Sequence, residues 1–307
     1  MKYISFIAFT FLIAAATACQ KDVCLPMENP QDGVMIFDVL SPGVQSKATG
    51  NMFASGDKAG IFVTDYVDDT TPMPLQVSGN RATNIAIVCD GSSWNPEKPV
   101  YWGDTKSDVY AYYPYTKSIT DIDGQAWKVA TDQTVKGQNG APGAYESSDV
   151  LWAKAEGVSR SGGAVTLAMK HIMSKLTVKI VAGEDYVGSL PDDAKVFLHS
   201  TVTSAVVNLE KGSATKDPYG KTESIKMRNL GIRNSDGVKA IAYDAIVVPQ
   251  MLKTSVPFIE IVSDSVSYLL EDSFNFRPGV AYTYTVTLNA SATSIKVEIG
   301  CDIDGFN

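Results

Sequence analysis

The amino-acid sequence predicts an all-β fold built from two tandem β-sandwich domains, and three observations support this prediction. Short apolar, β-branched and aromatic runs recur along the whole chain and are separated by turn residues. Pairs such as Asp123-Gly124 and Pro278-Gly279 supply the tight turns that hairpins require. No stretch of about a dozen residues keeps a helical period without an interrupting glycine or proline. Many short strands at this spacing favour sandwiches over open sheets.

The clearest strand patterns follow one another from the N-terminus to the C-terminus. They lie at residues 34–40, 59–66, 108–115, 164–169, 175–181, 245–250, 258–263 and 282–288. Within 175–181, apolar residues alternate with Thr177 and Lys179, which is typical of a half-buried antiparallel strand.

The first of these runs, "VMIFDVL", has its own alternation. Met35, Phe37 and Val39 are all apolar, whereas the even-numbered set includes Asp38. Because successive side chains of a strand point to opposite faces, we expect the odd-numbered set to face the core.

The N-terminus has the pattern of a lipoprotein signal peptide. An apolar run from Ile4 to Ala16 follows Lys2 and is too short to span a bilayer as a helix. Small residues then precede Cys19, which predicts a signal peptide at 1–18, acylation of Cys19 and a lipidated linker at 19–32. An ordinary signal peptide with a chance cysteine is the alternative. The lipid would be the only contact with a membrane, since no second long apolar run occurs.

The length of the chain favours two domains after the signal peptide. About 289 residues remain, which exceeds the usual size of one domain. The composition becomes small and polar at 159–163, and strand patterning restarts at Ala164. We therefore expect an N-terminal sandwich at 33–170 and a C-terminal sandwich at 171–307, with the boundary uncertain by about ten residues.

The composition excludes several classes of function. A formal net charge of −8 argues against a nucleic-acid partner, since binding phosphates requires a basic surface. His171 and His199 are the two histidines, and neither lies in a recognisable nucleophile motif, so neither an enzyme nor a cofactor is expected. Cys24, Cys89 and Cys301 lack metal-ligand spacing, so no metal site is expected. Cys89 is expected in the core, and the pairing of the three stays open.

Aromatic residues allow a second hypothesis, that of a monomeric surface lipoprotein that binds glycans. Trp94 lies beside Ser93, Asn95 and Pro96, where an exposed indole could stack on a sugar ring. Trp102 and Trp152 lie in apolar, strand-like contexts, where a tryptophan more often fills a sandwich core.

Five motifs in order resemble those of the fimbrillin-like surface proteins of Bacteroidales, the type V pilins and their relatives. They are "FASGDKAGIFV" (53–63), "PVYWGDTKSDVYAYYPY" (99–115), "SSDVLWAKAEGV" (147–158), "VTLAMKHIMSKLTVKI" (165–180) and "FRPGVAYTYTVTL" (276–288). Together they extend over most of the chain that follows the predicted signal peptide.

The resemblance implies a fold and a route of assembly. Fimbrillins consist of two transthyretin-like Greek-key sandwiches and are exported to the outer membrane and cell surface as lipoproteins. A trypsin-like protease cuts after the first strand of the N-terminal domain. The strand leaves with the lipid anchor, and the C-terminal strand of another subunit fills the groove. The resulting fimbriae support adhesion. The resemblance does not identify a receptor for this chain.

Carried over to this chain, the family pattern assigns roles to particular residues. The displaced strand would lie at about 33–40, with Met35, Phe37 and Val39 in the core, and the cut would fall in the loop 41–56. In this loop Lys47 precedes Ala48. Many relatives have an arginine at the position of Lys47. Either the protease accepts lysine, or the subunit keeps its first strand and acts as an anchor or accessory subunit. Lys58 is a poorer candidate for the cut.

The C-terminal strand is the candidate donor. Ile295, Val297 and Ile299 alternate with polar residues and would fill the groove of the next subunit. The alternative is an ordinary last strand of the second sandwich.

Overall fold

A computed structural model of the chain describes residues 33–42, 53–138, 141–187, 189–235, 238–263, 266–289 and 296–298. The strands of the first part of the chain are β1 (Phe37–Leu40), β2 (Lys58–Asp65), β3 (Ala82–Cys89), β4 (Trp94–Pro96), β5 (Ser107–Tyr113), β6 (Gln125–Lys128), β7 (Leu151–Val158), β8 (Val165–Ala168) and β9 (Lys170–His171). A short helix, α1 (Ala144–Ser148), lies between β6 and β7, and a single 3₁₀ turn (Arg160–Gly162) precedes β8.

The second part of the chain adds eleven strands among the described residues. They are β10 (Ser174–Ala182), β11 (Lys195–Val202), β12 (Ser204–Asn208), β13 (Ser213–Lys216), β14 (Thr222–Lys226), β15 (Arg228–Ser235), β16 (Val238–Val247), β17 (Gln250–Ser263), β18 (Val266–Phe276), β19 (Ala281–Leu288) and β20 (Lys296–Glu298). This content confirms the predicted all-β class.

Proline sets two of the strand limits. The strand predicted at 108–115 ends at Tyr113 because Pro114 follows and cannot donate a ladder hydrogen bond. The strand predicted at 245–250 is divided, since the chain leaves β16 after Val247, passes through Pro249 and begins β17 at Gln250.

The first part of the chain forms an eight-stranded sheet in the order β8-β1-β4-β3-β2-β5-β7-β9. Its strands share one apolar core, to which Phe37, Ile61, Ile87, Val109 and Leu167 contribute. Cys89 is buried in this core as a free thiol, as expected for a small apolar side chain.

Two further sheets form the sandwich of the second part of the chain. One has the order β15-β16-β10-β19-β20, and the other has the order β14-β11-β17-β18. In β10, Leu176, Val178 and Ile180 are fully buried, while Thr177 and Lys179 are partly exposed, which confirms the alternation seen in the sequence. These three side chains share a core with apolar residues of the facing sheet.

A three-stranded sheet of order β13-β12-β6 connects the two parts of the chain. Its strand β6 precedes the predicted boundary near residue 170, and β12 and β13 follow it. Phe62, Tyr112 and Trp152 from the first part also belong to the core cluster of the second. The domain boundary itself stays a prediction.

Candidate functional site: the seat of the first strand

The first strand lies inside the eight-stranded sheet rather than at its edge. β1 runs parallel to β8, with Phe37–Leu40 opposite residues 165–168, and antiparallel to β4, where Phe37 lies opposite Trp94. On the same side, an isolated antiparallel bridge joins Val34 to Tyr101, which follows β4 in the chain. We call the β8 and β4 edges, with the core side chains between them, the first-strand seat.

Backbone hydrogen bonds hold the first strand from both sides. On one side, the amide of Met35 donates to the carbonyl oxygen of Val100 at 2.7 Å. On the other, the amide of Val165 donates to the carbonyl oxygen of Ile36 at 2.8 Å, and the amide of Met169 donates to that of Leu40 at 3.0 Å. Removal of β1 would therefore leave two unpaired strand edges facing each other.

The odd-numbered side chains of the first-strand segment are buried, and Leu40 at its end is buried as well. Met35, Phe37 and Val39 are 1%, 2% and 4% exposed, whereas Ile36 is 65% exposed. The odd-numbered set therefore faces the core, as the alternation predicts. Each buried side chain of this kind contributes about 1.5–3 kcal/mol through removal of apolar surface from water.

From the sequence, the residues that form the walls of the seat were not assigned to strand exchange. Val165, Leu167 and Met169 are buried from the β8 side, and Trp94 and Val100 are buried from the β4 side. The first three lie in the strand that the sequence predicted at 164–169. Nothing local in the sequence indicated that this strand lies next to β1.

The residues that follow the first strand, 43–52, lie outside the described part of the chain, which continues at Phe53. The predicted cut between Lys47 and Ala48 therefore lies outside the described residues, as does Cys19. Phe53 packs edge to face on Trp94 and Tyr113, with ring centroids 5.1 Å and 5.3 Å apart.

The glycan-contact interpretation of Trp94 needs correction. Its side chain is 5% exposed and belongs to the core beside Phe53, so its ring face cannot receive a sugar. The polar neighbours Ser93 and Asn95 suggested an exposed loop, but Trp94 begins β4, lies opposite Phe37 of β1 and belongs to the core. Trp152 is buried as expected, and its indole nitrogen donates to the carbonyl oxygen of Leu209 at 2.6 Å. Trp102 packs partly against the same core as Trp94.

The candidate donor segment is described only in part. Lys296–Glu298 forms β20 and pairs antiparallel with β19, with Val297 opposite Val286. Ile295 and Ile299 lie outside the described residues. In the described part, the segment therefore occupies the position of a last strand of the second sandwich.

Each of the two histidines lies close to a carboxylate. His171 places Nδ1 2.8 Å from a carboxylate oxygen of Asp149. His199 lies between Ser224 and Glu260, at 2.7 Å and 2.9 Å from its two ring nitrogens. Hydrogen bonds from the Ser267 hydroxyl and from His199 lower the pKa of Glu260.

The described residues contain neither a metal-binding cluster nor a membrane-spanning helix. They contain no group of three His, Cys, Asp or Glu side chains that could hold a metal ion. In the same part of the chain, no helix is long and apolar enough to cross a membrane. Cys24 and Cys301 lie outside it, so their pairing stays open.

Comparison with known proteins gives one family and several solved structures of similar fold. A family profile described as fimbrillin-like matches residues 46–301. No curated protein sequence matches the chain.

Among solved structures, a proposed cell adhesion protein from Bacteroides ovatus is similar, with a TM-score of 0.65, 19% identity, and coverage of 89% of this chain and 97% of that one. A proposed cell adhesion protein from Bacteroides uniformis has a TM-score of 0.62 and 19% identity, with coverage of 89% of this chain and 99% of that one. A fimbrial protein from Bacteroides vulgatus has a TM-score of 0.55 and 16% identity, with coverage of 90% of this chain and 100% of that one. At these identities the likeness shows the fold.

Proposed function

Because the chain belongs to the fimbrillin-like family, we propose that it is a structural or accessory subunit of a surface fimbria that assembles by strand exchange and supports adhesion. The observation that carries this proposal is the first-strand seat. β1 is short and lies between two other strands, and the segment from Met35 to Val39 supplies three buried side chains to the core of this sheet. A strand in this position is replaceable only by another strand.

The physical basis of exchange is the double edge that would remain after β1 leaves. Two unpaired backbone edges and the pockets of Met35, Phe37 and Val39 form a template for an extended segment. A cut strand would dissociate slowly by itself, since about 5–9 kcal/mol of apolar burial holds these side chains. Exchange therefore needs a competing strand that fills the same pockets.

The C-terminal segment has the right pattern for this competitor. Ile295, Val297 and Ile299 are apolar at spacings of two, and Met35, Phe37 and Val39 have the same spacing. In this proposal the segment leaves its own β19 and inserts into the seat of a second subunit. The partners are thus other fimbrial subunits of the same or another kind.

The proposal includes maturation at two positions. Acylation of Cys19 would hold the precursor at the outer membrane, and a trypsin-like protease would then cut between Lys47 and Ala48. Family membership and the position of Lys47 after the first strand support this order of events. If the cell lacks a protease that accepts lysine, the subunit stays attached to its lipid and would serve as an anchor or accessory subunit.

One experiment tests the maturation step in cells. The N-terminal residue of the protein recovered from the cell surface is determined by mass spectrometry. Ala48 identifies a processed subunit, and acylated Cys19 identifies an anchored one. Recovery from the cytoplasm with an intact Met1 would contradict the proposal.

A second experiment tests assembly with the purified chain. A lysine-cleaving protease is added, and higher oligomers are sought by gel electrophoresis without boiling. Lys47→Gln should abolish the ladder, whereas Lys58→Gln, a matched change in β2, should not. Complete cleavage after Lys47 that yields only a stable monomer, even with residues 34–40 displaced, would show that the stalk-subunit proposal is wrong.

The glycan-binding alternative has no specific observation in its favour. It depended on an exposed Trp94, and this side chain is buried.

A further inference from the structure

The centre of the first-strand seat is the pocket of Phe37. This residue lies opposite Val165 of β8 on one side and opposite Trp94 of β4 on the other. Residues that lie directly opposite each other on neighbouring strands have their side chains on the same face of the sheet. All three side chains belong to one core and are buried. The Phe37 side chain therefore lies between buried side chains of both neighbouring strands.

The Trp94 wall of this pocket is held in place by a further aromatic ring. Phe53 packs edge to face on Trp94, with the ring centroids 5.1 Å apart, and packs in the same way on Tyr113. Trp94 would lose this contact if it turned into the space left by a smaller residue at position 37. A cavity costs most where the surrounding side chains do not relax into it. The pocket therefore favours a side chain with the size and shape of phenylalanine.

The two outer pockets of the seat place weaker demands on a donor strand. Met35 and Val39 fill them, and Val39 lies opposite Leu167 of β8. Exchange among aliphatic side chains of similar volume usually costs little, and methionine adapts to irregular spaces. The seat thus fits a strand that has an aromatic residue between two aliphatic residues at spacings of two.

The C-terminal segment of this chain does not have that pattern. Its odd-numbered residues from Ile295 to Ile303 are isoleucine, valine or cysteine. Phe306 is the single aromatic residue after Tyr284, and Asp304 stands two positions before it. Neither direction of insertion would therefore place an aromatic side chain in the Phe37 pocket with aliphatic side chains in both outer pockets.

We propose that the first-strand seat selects its donor strand by an aromatic residue in the Phe37 pocket, and that this donor belongs to a different polypeptide. This selection depends on the proposed strand exchange, and it specifies the preferred partner. The partner supplies an extended segment in which an aromatic residue is flanked by aliphatic residues at spacings of two. The chain's own C-terminal segment would fill the seat only where no such donor competes, as in the purified chain.

Peptide competition on the purified full chain, cut after Lys47, tests this selectivity. A fluorescent peptide of residues 33–42 is exchanged into the seat, and its displacement by unlabelled peptides is followed by fluorescence anisotropy. The Phe37→Val form of the peptide should compete about tenfold or more weakly than the unchanged peptide, because it leaves a cavity. Ile36→Ala is the matched control at an exposed position, and this form should compete as well as the unchanged peptide.

A peptide of residues 293–303 tests the same selectivity by a gain of binding. It should compete about tenfold or more weakly than the 33–42 peptide, since it brings no aromatic residue. Val297→Phe places an aromatic residue between Ile295 and Ile299 and should restore most of this loss.

The possible failures of this experiment have different meanings. Equal competition by the Phe37→Val and unchanged peptides, or no gain from Val297→Phe, would overturn the selectivity and leave strand exchange itself intact. Failure of the 33–42 peptide to enter the seat of the cut chain would instead contradict strand exchange, and the proposed function would fall together with this inference.

Discussion

Phe37 and Ile36 are neighbours in the chain with opposite environments. Phe37 is 2% exposed and Ile36 is 65% exposed. We expect Phe37→Ala to lower the free energy of unfolding by about 3–5 kcal/mol, because it removes transfer free energy and leaves a cavity in the core. Ile36→Ala should change it by about 0.5 kcal/mol or less. Urea titration followed by fluorescence measures both variants.

The Phe37 and Ile36 variants together show whether the first strand is tightly packed. If β1 were only loosely seated, the two substitutions would have similar small effects on the urea midpoint. A large difference would establish that the seat is a packed part of the core.

Tyr243 should make the protein sensitive to alkaline pH. Its hydroxyl donates to the carbonyl oxygen of Ala194 at 2.8 Å, and burial raises its pKa to about 12. In the unfolded chain the pKa of tyrosine is about 10. The folded-state pKa is the higher one, so this contribution to stability is complete below pH 10 and is lost as pH rises towards 12. Thermal unfolding between pH 7 and pH 12 measures the loss.

Tyr243→Phe is the control for this effect. The variant should be less stable at pH 7 by about 1 kcal/mol, because the Ala194 carbonyl loses its donor. Its unfolding temperature should also fall less steeply above pH 10. A parallel fall in both proteins would mean that Tyr243 does not titrate in this range.

At the scale of elements, the β1–β8 pair gives a test by hydrogen exchange. The amides of Val165 and Met169 donate to carbonyl oxygens at Ile36 and Leu40. We expect both amides to exchange faster once the chain is cut after Lys47 and β1 is displaced. The amide of Ile172, which donates to Val150 at 3.0 Å, should be unaffected. NMR-detected exchange on cut and uncut protein compares them, and equal rates at Val165 would mean that β1 has not left.

The sequence predicted those features of the strands that depend on local alternation. The odd-numbered face of β1 and the core face of β10 could both be read from period-two patterns. The parallel pairing of β1 with β8 could not, since the two strands are more than 120 residues apart and pairing at that distance depends on the whole fold. The sequence prediction for Trp94 was wrong for the same reason, because Phe37 and Phe53, which lie beside it in the folded chain, are more than 40 residues away in the sequence. The assignments of Cys19, Lys47 and Ala48 stay predictions.

At the scale of the whole molecule, the two parts of the chain share packing. β6 pairs with β12, and Trp152 from the first part donates to Leu209 in the second. The described residues from Val34 onward belong to one compact unit. We therefore expect damage at this contact to weaken the fold on both sides of it.

Gly212 offers a direct test of this contact. Its φ is +62°, and a Cβ atom there would lie 2.2 Å from the Trp152 ring. Gly212→Ala should lower the free energy of unfolding by about 2–4 kcal/mol through overlap and backbone strain. Gly231→Ala is the control, since its φ is +74° with no atom within 4 Å, and it should cost only about 1–2 kcal/mol.

Urea unfolding of the two glycine variants, followed by circular dichroism, decides between these outcomes. Equal losses of unfolding free energy would mean that Trp152 moves aside and that the contact between the two parts of the chain is not tightly packed.

The position of β1 between two strands also matters for mechanical load. A strand that occupies this seat is paired with β8 over Phe37–Leu40 and is held on its other side at Met35 and Phe37, so a pull along its axis loads both sets of bonds in shear. Bonds loaded in shear share the force and break together, whereas a strand at a sheet edge can be peeled away one bond at a time. A fimbria whose subunits were joined through this seat would therefore resist tension along its length.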